Sequence, residues 1–187
     1  MARGISINGC SGSGKTTIGR KVAERLGYLH LDLDDYYWDW DAPLPYTQLR
    51  PKDEVIELLQ RDMAEHDRFV MSGSISSKLW DFVNPLLDFA VLLSAPPAVC
   101  MERVKARAFS NYGDRVLEGG DLYESHQTFY KTVGMYHTGE NPSYSLERHQ
   151  RWARELACPV LHIDGTRAVD ENVEMIVAQY LRRNLDV

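Results

Sequence analysis

Hydrophobic positions along the chain alternate between short apolar runs and stripes at helical spacing. Apolar runs predict buried strands over 4–8, 69–71, 89–93 and 160–163. Apolar stripes and their flanking residues predict helices over 16–26, 51–63, 98–108, 121–136, 145–157 and 173–181. Strands that alternate with helices favour an α/β fold: a doubly wound parallel sheet of about five strands with helices on both faces.

Residues 28–34 supply a further strand, because apolar and polar side chains alternate along them. The apolar members are Leu29, Leu31 and Leu33, and the polar members are His30, Asp32 and Asp34. The pattern predicts a strand that ends in carboxylates. Ligands of such sheets bind at the carboxyl ends of the strands, so we expect the functional site at that edge.

The length of 187 residues and the hydrophobic content of 44% suit a single domain over 1–187. Residues 36–50 are aromatic and irregular, and we interpret about 36–66 as an acceptor-binding flap. The polar stretch around Asn111 and Gly113 begins a lid with added helices over about 108–157. The sequence does not indicate an oligomeric state.

Charge and cysteine content narrow the function classes. A net charge of −6 provides no basic field, so we expect no nucleic-acid partner. Cys10, Cys100 and Cys158 are widely spaced and form no zinc motif, which is typical of reduced thiols. No signal peptide precedes the first strand, and no run reaches the roughly 18 apolar residues of a membrane span. We therefore expect a cytoplasmic protein without a membrane partner.

The chain carries a phosphate-binding motif between its first strand and first helix, Gly9-x-x-x-x-Gly14-Lys15-Thr16. Glycines allow backbone N–H groups to surround an anion at the helix N-terminus. Lys15 would reach the terminal phosphates, and the Thr16 hydroxyl would ligate Mg²⁺. The predicted nucleotide-binding residues here are Gly9, Gly12, Ser13, Gly14, Lys15, Thr16 and Thr17. The motif predicts binding of a nucleoside triphosphate and leaves the fate of its phosphate open.

Three stretches together resemble the P-loop small-molecule kinases, which include adenylate, shikimate, gluconate, uridine and nicotinamide riboside kinases. They are GCSGSGKTTIGRKVAERLG, LDLDDYYW and LLSAPPAVCMERVKAR, in the order and near the spacing of that family. The resemblance implies an ATP- and Mg²⁺-dependent phosphotransferase with a lid and a flap that binds the acceptor.

The resemblance assigns roles to two carboxylates in LDLDDYYW. Asp34 stands at the position of the family's catalytic carboxylate and would be a general base. Asp32 with Asp34 is similar to the D-x-D of shikimate kinases, which holds Mg²⁺ and the acceptor. Because Ser72-Gly73-Ser74 provides no acid after the third strand, Mg²⁺ would depend on Thr16 and on Asp32 or Asp34, with Asp32 assigned as the metal ligand. The alternative is that these aspartates form a solvated acidic loop.

The resemblance also assigns two arginines that lie four residues apart, on one face of a helix. Arg103 takes the place of an arginine that stacks on adenine, and Arg107 that of a lid arginine that grips the transferring phosphoryl group. Arg115 is a weaker second candidate for the lid. The alternative is that these arginines pair at the surface with Glu102 or Asp114. Gly165 would border the adenine with its backbone.

Aromatic residues dominate the stretch after the acidic strand end. They are Tyr36, Tyr37, Trp38, Trp40 and Tyr46, and Arg50 follows them. Tyr36 would contact a base or sugar, and Arg50 would pair with a phosphate or carboxylate of the acceptor. Equally, the aromatics could form the small core of the flap. We also place Gly73 on the acceptor side.

These residues favour a kinase that acts on a small-molecule acceptor, with a nucleoside or nucleotide slightly favoured. A hydroxy acid or sugar, as in shikimate and gluconate kinases, is the alternative acceptor. A hypothesis of another class is a sensor or switch that binds ATP without phosphoryl transfer. GTPase switches are not indicated, because the sequence contains neither DxxG after a strand nor NKxD.

Overall fold

The computed structural model of this chain describes residues 2–185, without the side chains of 184 and 185. Met1 and residues 186–187, the ends of the predicted domain, lie outside the described residues. Five strands form one sheet: β1 (Arg3–Gly9), β2 (Leu29–Asp32), β3 (Arg68–Ser72), β4 (Leu87–Ser94) and β5 (Val160–Asp164). All neighbours are parallel, in the order β2-β3-β1-β4-β5, which confirms the predicted sheet.

Helices connect the strands as the apolar stripes predict, with shifted ends. They are α1 (Lys15–Leu26), α2 (Leu33–Tyr37), α3 (Lys52–Met63), α4 (Trp80–Val83), α5 (Pro97–Tyr112), α6 (Tyr123–Met135), α7 (Leu146–Glu155) and α8 (Val169–Leu185). Short 3₁₀ turns span Ser77–Leu79, Asn84–Leu86 and Gly113–Val116. The sequence patterns predicted neither α2 nor α4, because each is too short to show a helical period. Within residues 2–185, none of the helices has the length and apolar character needed to cross a membrane.

Both faces of the sheet are covered, as the parallel arrangement requires. Phe69 and Met71 of β3 face a core formed with α3 and α7, whereas Val70 between them faces α1 and α8. Leu59 and Trp152 are fully buried on the first side, and Ile176 is fully buried on the second. The two faces together confirm the doubly wound α/β fold.

The prediction that residues 28–34 form one strand is wrong at its end, because β2 stops at Asp32. The Asp32 carboxylate accepts a hydrogen bond from the Asp34 backbone N–H at 3.3 Å and caps α2. Asp34 and Asp35 then occupy the first turn of a helix, where negative side chains are favoured. Asp32 and Asp34 therefore do not share a face by strand alternation.

The stretch between α2 and α3 forms a closed loop, residues 38–50, and is called the 38–50 segment below. Trp38 and Leu49 form an antiparallel bridge, and the Arg50 N–H donates to the Tyr37 carbonyl at 2.8 Å. Most of the remaining predicted flap is α3, which buries Val55 and Leu59 in the main core. Thus α3 is part of the core, and the 38–50 segment lies over the site.

The predicted polar tip around Asn111 is helical, because α5 continues to Tyr112 and a 3₁₀ turn follows. Ala108, Val116 and Leu122 form a small apolar cluster that joins α5, this turn and the start of α6. Leu44 of the 38–50 segment packs against the same cluster. The 38–50 segment thus touches the α5–α6 pair above the carboxyl ends of the strands.

Candidate active site

The phosphate-binding loop joins β1 to α1 at the centre of the sheet. Gly12 has a φ of +84°, and a Cβ atom there would collide with the Cys100 carbonyl oxygen, so only glycine fits. The first N–H groups of α1, beginning at Lys15, have no intrahelical partner and point towards the loop. This geometry suits a bound phosphate.

Helix α5 and the loop after β5 support the phosphate-binding loop from behind. Arg103 Nη1 donates to the Gly12 carbonyl at 3.3 Å and to the Gly165 carbonyl at 2.9 Å. The hydrogen bond with the Cys100 thiol, together with burial, raises the pKa of Cys10. Arg103 and Gly165, predicted to lie near adenine, thus meet beside the loop that would hold the phosphates.

A tyrosine that the sequence analysis missed contacts the same loop from the other side. The Tyr144 hydroxyl accepts from the Ser11 backbone N–H at 2.6 Å and lies 3.0 Å from Ser11 Oγ. Tyr144 lies between α6 and α7, in a stretch without any motif. No sequence signal could have found it, because 133 residues separate it from Ser11.

Lys15 of the loop and Asp34 of α2 lie near each other, since the charge of each acts on the pKa of the other. Burial lowers the pKa of Lys15, and the nearby Asp34 charge raises it. Burial raises the pKa of Asp34, and the charges of Lys15 and Arg107 oppose that rise. Lys15 Nζ also donates to the Cys10 carbonyl at 3.3 Å. The structure therefore brings together Lys15, Asp34 and Arg107, the three predicted catalytic residues.

These three residues line a cleft of about 440 Å³. The 38–50 segment forms one wall, and residues of α5 and α6 form the other. Side chains along this cleft include Tyr37, Trp38, Tyr46, Asn111, Tyr112, Phe129 and Thr132. Its size is in the range of small-molecule sites. Apart from Tyr37, Trp38 and Tyr46, which lie in the predicted aromatic stretch, the sequence analysis did not single out these side chains.

Tyr46 lies in this cleft with an unusual backbone. Its φ of +59° is the one positive φ of a non-glycine residue among residues 2–185. Its ring packs edge-on against Trp38 at 5.6 Å and against Trp40 at 5.0 Å. Burial and the charge of Asp34 raise the pKa of Tyr46 to about 12. A strained residue of this kind is typical of functional sites.

Other predicted acceptor residues point elsewhere. The Tyr36 hydroxyl donates to Asp62 at 2.8 Å, beneath α2. Arg50 donates to the carbonyls of Asp35 and Tyr36 and forms an ion pair with Glu54 at 3.2 Å. Neither side chain lines the cleft. Both hold α2 and α3 together, because their polar groups are already paired there.

Gly73 and Arg115 also lie outside the cleft. A Cβ atom on Gly73 would lie 2.7 Å from Leu33 Cβ, so this glycine permits α2 to pack closely on β3. Arg115 forms two hydrogen bonds with the exposed Asp121, at 2.9 and 2.7 Å. Arg107 is therefore the better placed of the two candidate lid arginines.

The residues present fit a nucleotide with Mg²⁺. Ser13 Oγ is buried in the loop without a hydrogen-bond partner among the described residues. Thr16 lies in the first turn of α1. Asp32 ends β2, which is separated from β1 in the sheet by β3. Within residues 2–185, no three His, Cys, Asp or Glu side chains cluster as a ready-made metal site. Such a sparse set suits Mg²⁺, which keeps several waters and phosphate oxygens as ligands.

Comparison with known proteins agrees with this geometry. Residues 5–128 match the family described as an AAA domain. The chain is 34% identical over 185 residues to the uncharacterized protein YqaC of Bacillus subtilis, covering 98% of this chain and 100% of that protein. It is 33% identical over 180 residues to a cytidylate kinase of Natronomonas pharaonis, covering 90% and 87% respectively.

Among solved structures, a shikimate kinase from Acinetobacter baumannii in complex with shikimate superposes with a TM-score of 0.58 at 17% identity. The match covers 99% of this chain and 96% of that one, and it is a likeness of fold. Fold, phosphate-binding loop and relatives agree with one another. The chain is therefore a member of the P-loop small-molecule kinase family.

Proposed function

We propose that this protein transfers the γ-phosphoryl group of ATP, in the presence of Mg²⁺, to a small-molecule acceptor bound in the cleft. One observation carries the proposal. Lys15, Asp34 and Arg107 converge where the phosphate-binding loop opens into a cleft of about 440 Å³. A cation pair beside a carboxylate at that point suits phosphoryl transfer to a hydroxyl group.

The three side chains have distinct roles in the proposed reaction. Asp34 takes the proton of the acceptor hydroxyl as the oxygen forms its bond to the γ-phosphorus. The bond from that phosphorus to the β–γ bridging oxygen breaks, and ADP leaves. Lys15 and Arg107 stabilise the charge on the equatorial oxygens of the transferring group. Mg²⁺ would neutralise charge on the phosphate oxygens, held by Thr16 and Asp32.

The surroundings of Asp34 suit a general base. Burial raises its pKa, which brings the carboxyl group nearer to the operating pH and makes the carboxylate a better proton acceptor. Its position in the first turn of α2 is fixed by the Asp32 cap. A solvated acidic loop, the alternative interpretation, fits Asp34 less well because this side chain is partly buried beside Lys15.

Asp34→Asn tests the proposal with a matched control on the same helix. We expect ADP formation with an accepted substrate to fall by about 10²–10⁴-fold, because the amide cannot accept the proton. Asp35→Asn removes the same charge from an exposed neighbour and should keep near-normal turnover. The measurement is ADP and phosphorylated product in a panel of nucleosides, nucleotides, shikimate and gluconate.

Equal turnover by the Asp34→Asn and Asp35→Asn variants would contradict the role of Asp34. If the wild-type chain binds ATP but phosphorylates no acceptor of any class, phosphoryl transfer is refuted. The sensor or switch hypothesis would then account better for the nucleotide site.

A further inference from the structure

Beside the three proposed catalytic residues, the cleft has a lining that is largely aromatic. Aromatic rings come from the 38–50 segment and from the α5–α6 wall, among them Trp38, Tyr46, Tyr112 and Phe129. His126 joins the wall as a ring packed edge-on between Tyr112 and Tyr130, with centroids at 5.5 and 6.0 Å. Flat aromatic faces favour a flat ligand between them.

Neutral polar groups of α5 and α6 also line the cleft. They are the amide of Asn111 and the hydroxyls of Ser125, Thr128 and Thr132. Ser125, Thr128 and Thr132 recur at three- and four-residue spacing, so they share one face of α6. Each of these hydroxyls already donates to a backbone carbonyl, so it can accept a hydrogen bond from an uncharged ligand, whereas the Asn111 amide can both donate and accept.

The cleft lining carries little positive charge. Lys15 and Arg107 are the only lysine and arginine among the described lining residues. Both act on the pKa of Asp34, which places them together at the site of transfer. They would be engaged by the phosphates of ATP, and Asp34 itself would repel a second anion.

Three arginines outside the lining are engaged elsewhere, two of them with carboxylates. Arg50 contacts Glu54 and two carbonyls, and Arg115 contacts Asp121. Arg148 lies behind the wall, where it donates to the Ile75 carbonyl at 2.6 Å and its guanidinium lies 5.4 Å from the Trp80 ring. A phosphate or carboxylate on the acceptor would therefore be buried without a counter-ion, which is unfavourable.

We infer that the acceptor is an uncharged alcohol with a flat ring, such as a nucleoside, and is neither a nucleotide nor a hydroxy acid. The inference rests on the proposed phosphoryl transfer, because it concerns the second substrate of the same site. Transfer to such an acceptor creates a phosphate monoester, whose phosphate is the group that Lys15 and Arg107 hold during transfer.

The experiment compares acceptors that differ in charge, and it measures binding separately from turnover. Nucleosides are paired with their 5′-monophosphates, and glucose is paired with gluconate. Calorimetry with a non-hydrolysable ATP analogue and Mg²⁺ gives affinities, and product formation with ATP gives kcat/KM. We expect at least one nucleoside to exceed its monophosphate by about 100-fold or more in both quantities, and to exceed glucose, which lacks a flat ring.

A charge introduced into the cleft supplies a second readout. Thr132→Arg places a cation among the neutral hydroxyls. It should lower the preference for a nucleoside over its monophosphate, in affinity and in kcat/KM, at least tenfold. Gln127→Arg adds the same charge to α6 outside the cleft lining and should leave the ratio unchanged. If the Thr132→Arg variant does not fold, Asn111→Lys makes the same test from α5.

The outcomes separate this inference from the proposed function. Tighter binding of a monophosphate or of gluconate than of its neutral partner overturns the inference, whatever the turnover. Failure of every neutral compound to bind overturns it as well. Tighter binding of nucleosides than of their monophosphates, with no phosphorylated product from any acceptor in the panel, would support the neutral cleft and refute phosphoryl transfer.

Discussion

Asp34 lies in surroundings that disfavour its anionic form. Burial raises the pKa of its carboxyl group, and the positive charges of Lys15 and Arg107 only partly oppose this. Burial likewise lowers the pKa of Lys15, for which Asp34 is the strongest compensating charge. Each side chain therefore depends on the other to remain charged, and the pair is sensitive to pH from both sides.

The pH dependence of kcat/KM should reflect this pair. A raised pKa means that Asp34 stays protonated, and unable to accept a proton, up to a pH above the ordinary aspartate value of about 3.9. Activity should therefore rise as pH increases through that raised value. Because its pKa is lowered, Lys15 loses its proton at a pH below the ordinary lysine pKa of about 10.4. Activity should therefore fall again as pH rises through that lowered pKa.

Steady-state rates from about pH 4 to pH 10, with one accepted substrate, check this prediction. Asp35→Asn is the control and should keep both the rise and the fall of activity with pH, since Asp34 and Lys15 are unchanged. A profile that stays flat down to about pH 4 would show that the Asp34 carboxyl group is not the titrating base.

At the scale of the element, α2 decides where the proposed catalytic carboxylate, Asp34, lies. The helix has only five residues, and its first turn depends on the Asp32 cap. Towards the end of the helix, the Arg50 side chain donates hydrogen bonds to the backbone carbonyls of Asp35 and Tyr36. A short helix fixed at both ends holds Asp34 more firmly than a loop would, which a site for phosphoryl transfer requires.

Substitution of Asp32 should separate its capping role from its predicted Mg²⁺ role. Asp32→Ala removes the cap, and the free energy of unfolding should fall by about 0.5–2 kcal/mol. Asp32→Asn caps equally well and should unfold at the wild-type urea concentration, yet need more Mg²⁺ for half-maximal activity. Wild-type Mg²⁺ dependence in the Asp32→Asn variant would limit Asp32 to capping.

At the scale of the whole molecule, Arg103 connects parts of the chain that are far apart in sequence. Its guanidinium bridges the phosphate-binding loop at Gly12 and the loop after β5 at Gly165. The flat face of a guanidinium held in this way is suited to stack on a base. Nucleotide binding should therefore stabilise the fold as a unit, through both loops at once.

Stabilisation by an ATP analogue with Mg²⁺ measures this connection. A ligand at about 100 times its Kd adds about 2.7 kcal/mol to the free energy of unfolding and raises Tm. Arg103→Ala should reduce the rise in Tm at equal ligand concentration, because a contact with nucleotide and loop is lost. Arg154→Ala, at an exposed position on α7, is the control. An undiminished rise in the Arg103→Ala variant would contradict a nucleotide-binding role for Arg103.

The sequence by itself determined the parallel sheet, the phosphate-binding loop and the kinase family, because these depend on local periodicity and on three short contiguous stretches. It also singled out Lys15, Asp34, Arg103 and Arg107. It misplaced the end of β2, since strand alternation cannot reveal that a carboxylate caps the next helix.

Only the tertiary structure decided the walls of the cleft. Trp38 and Tyr46 from one part of the chain meet Tyr112 and Thr132 from another across that space. Such contacts do not appear as a period in the sequence, because each side chain packs near others that lie tens of residues away along the chain. For the same physical reason, the sequence could favour several acceptors, whereas the arrangement of charge in the folded cleft favours a neutral one.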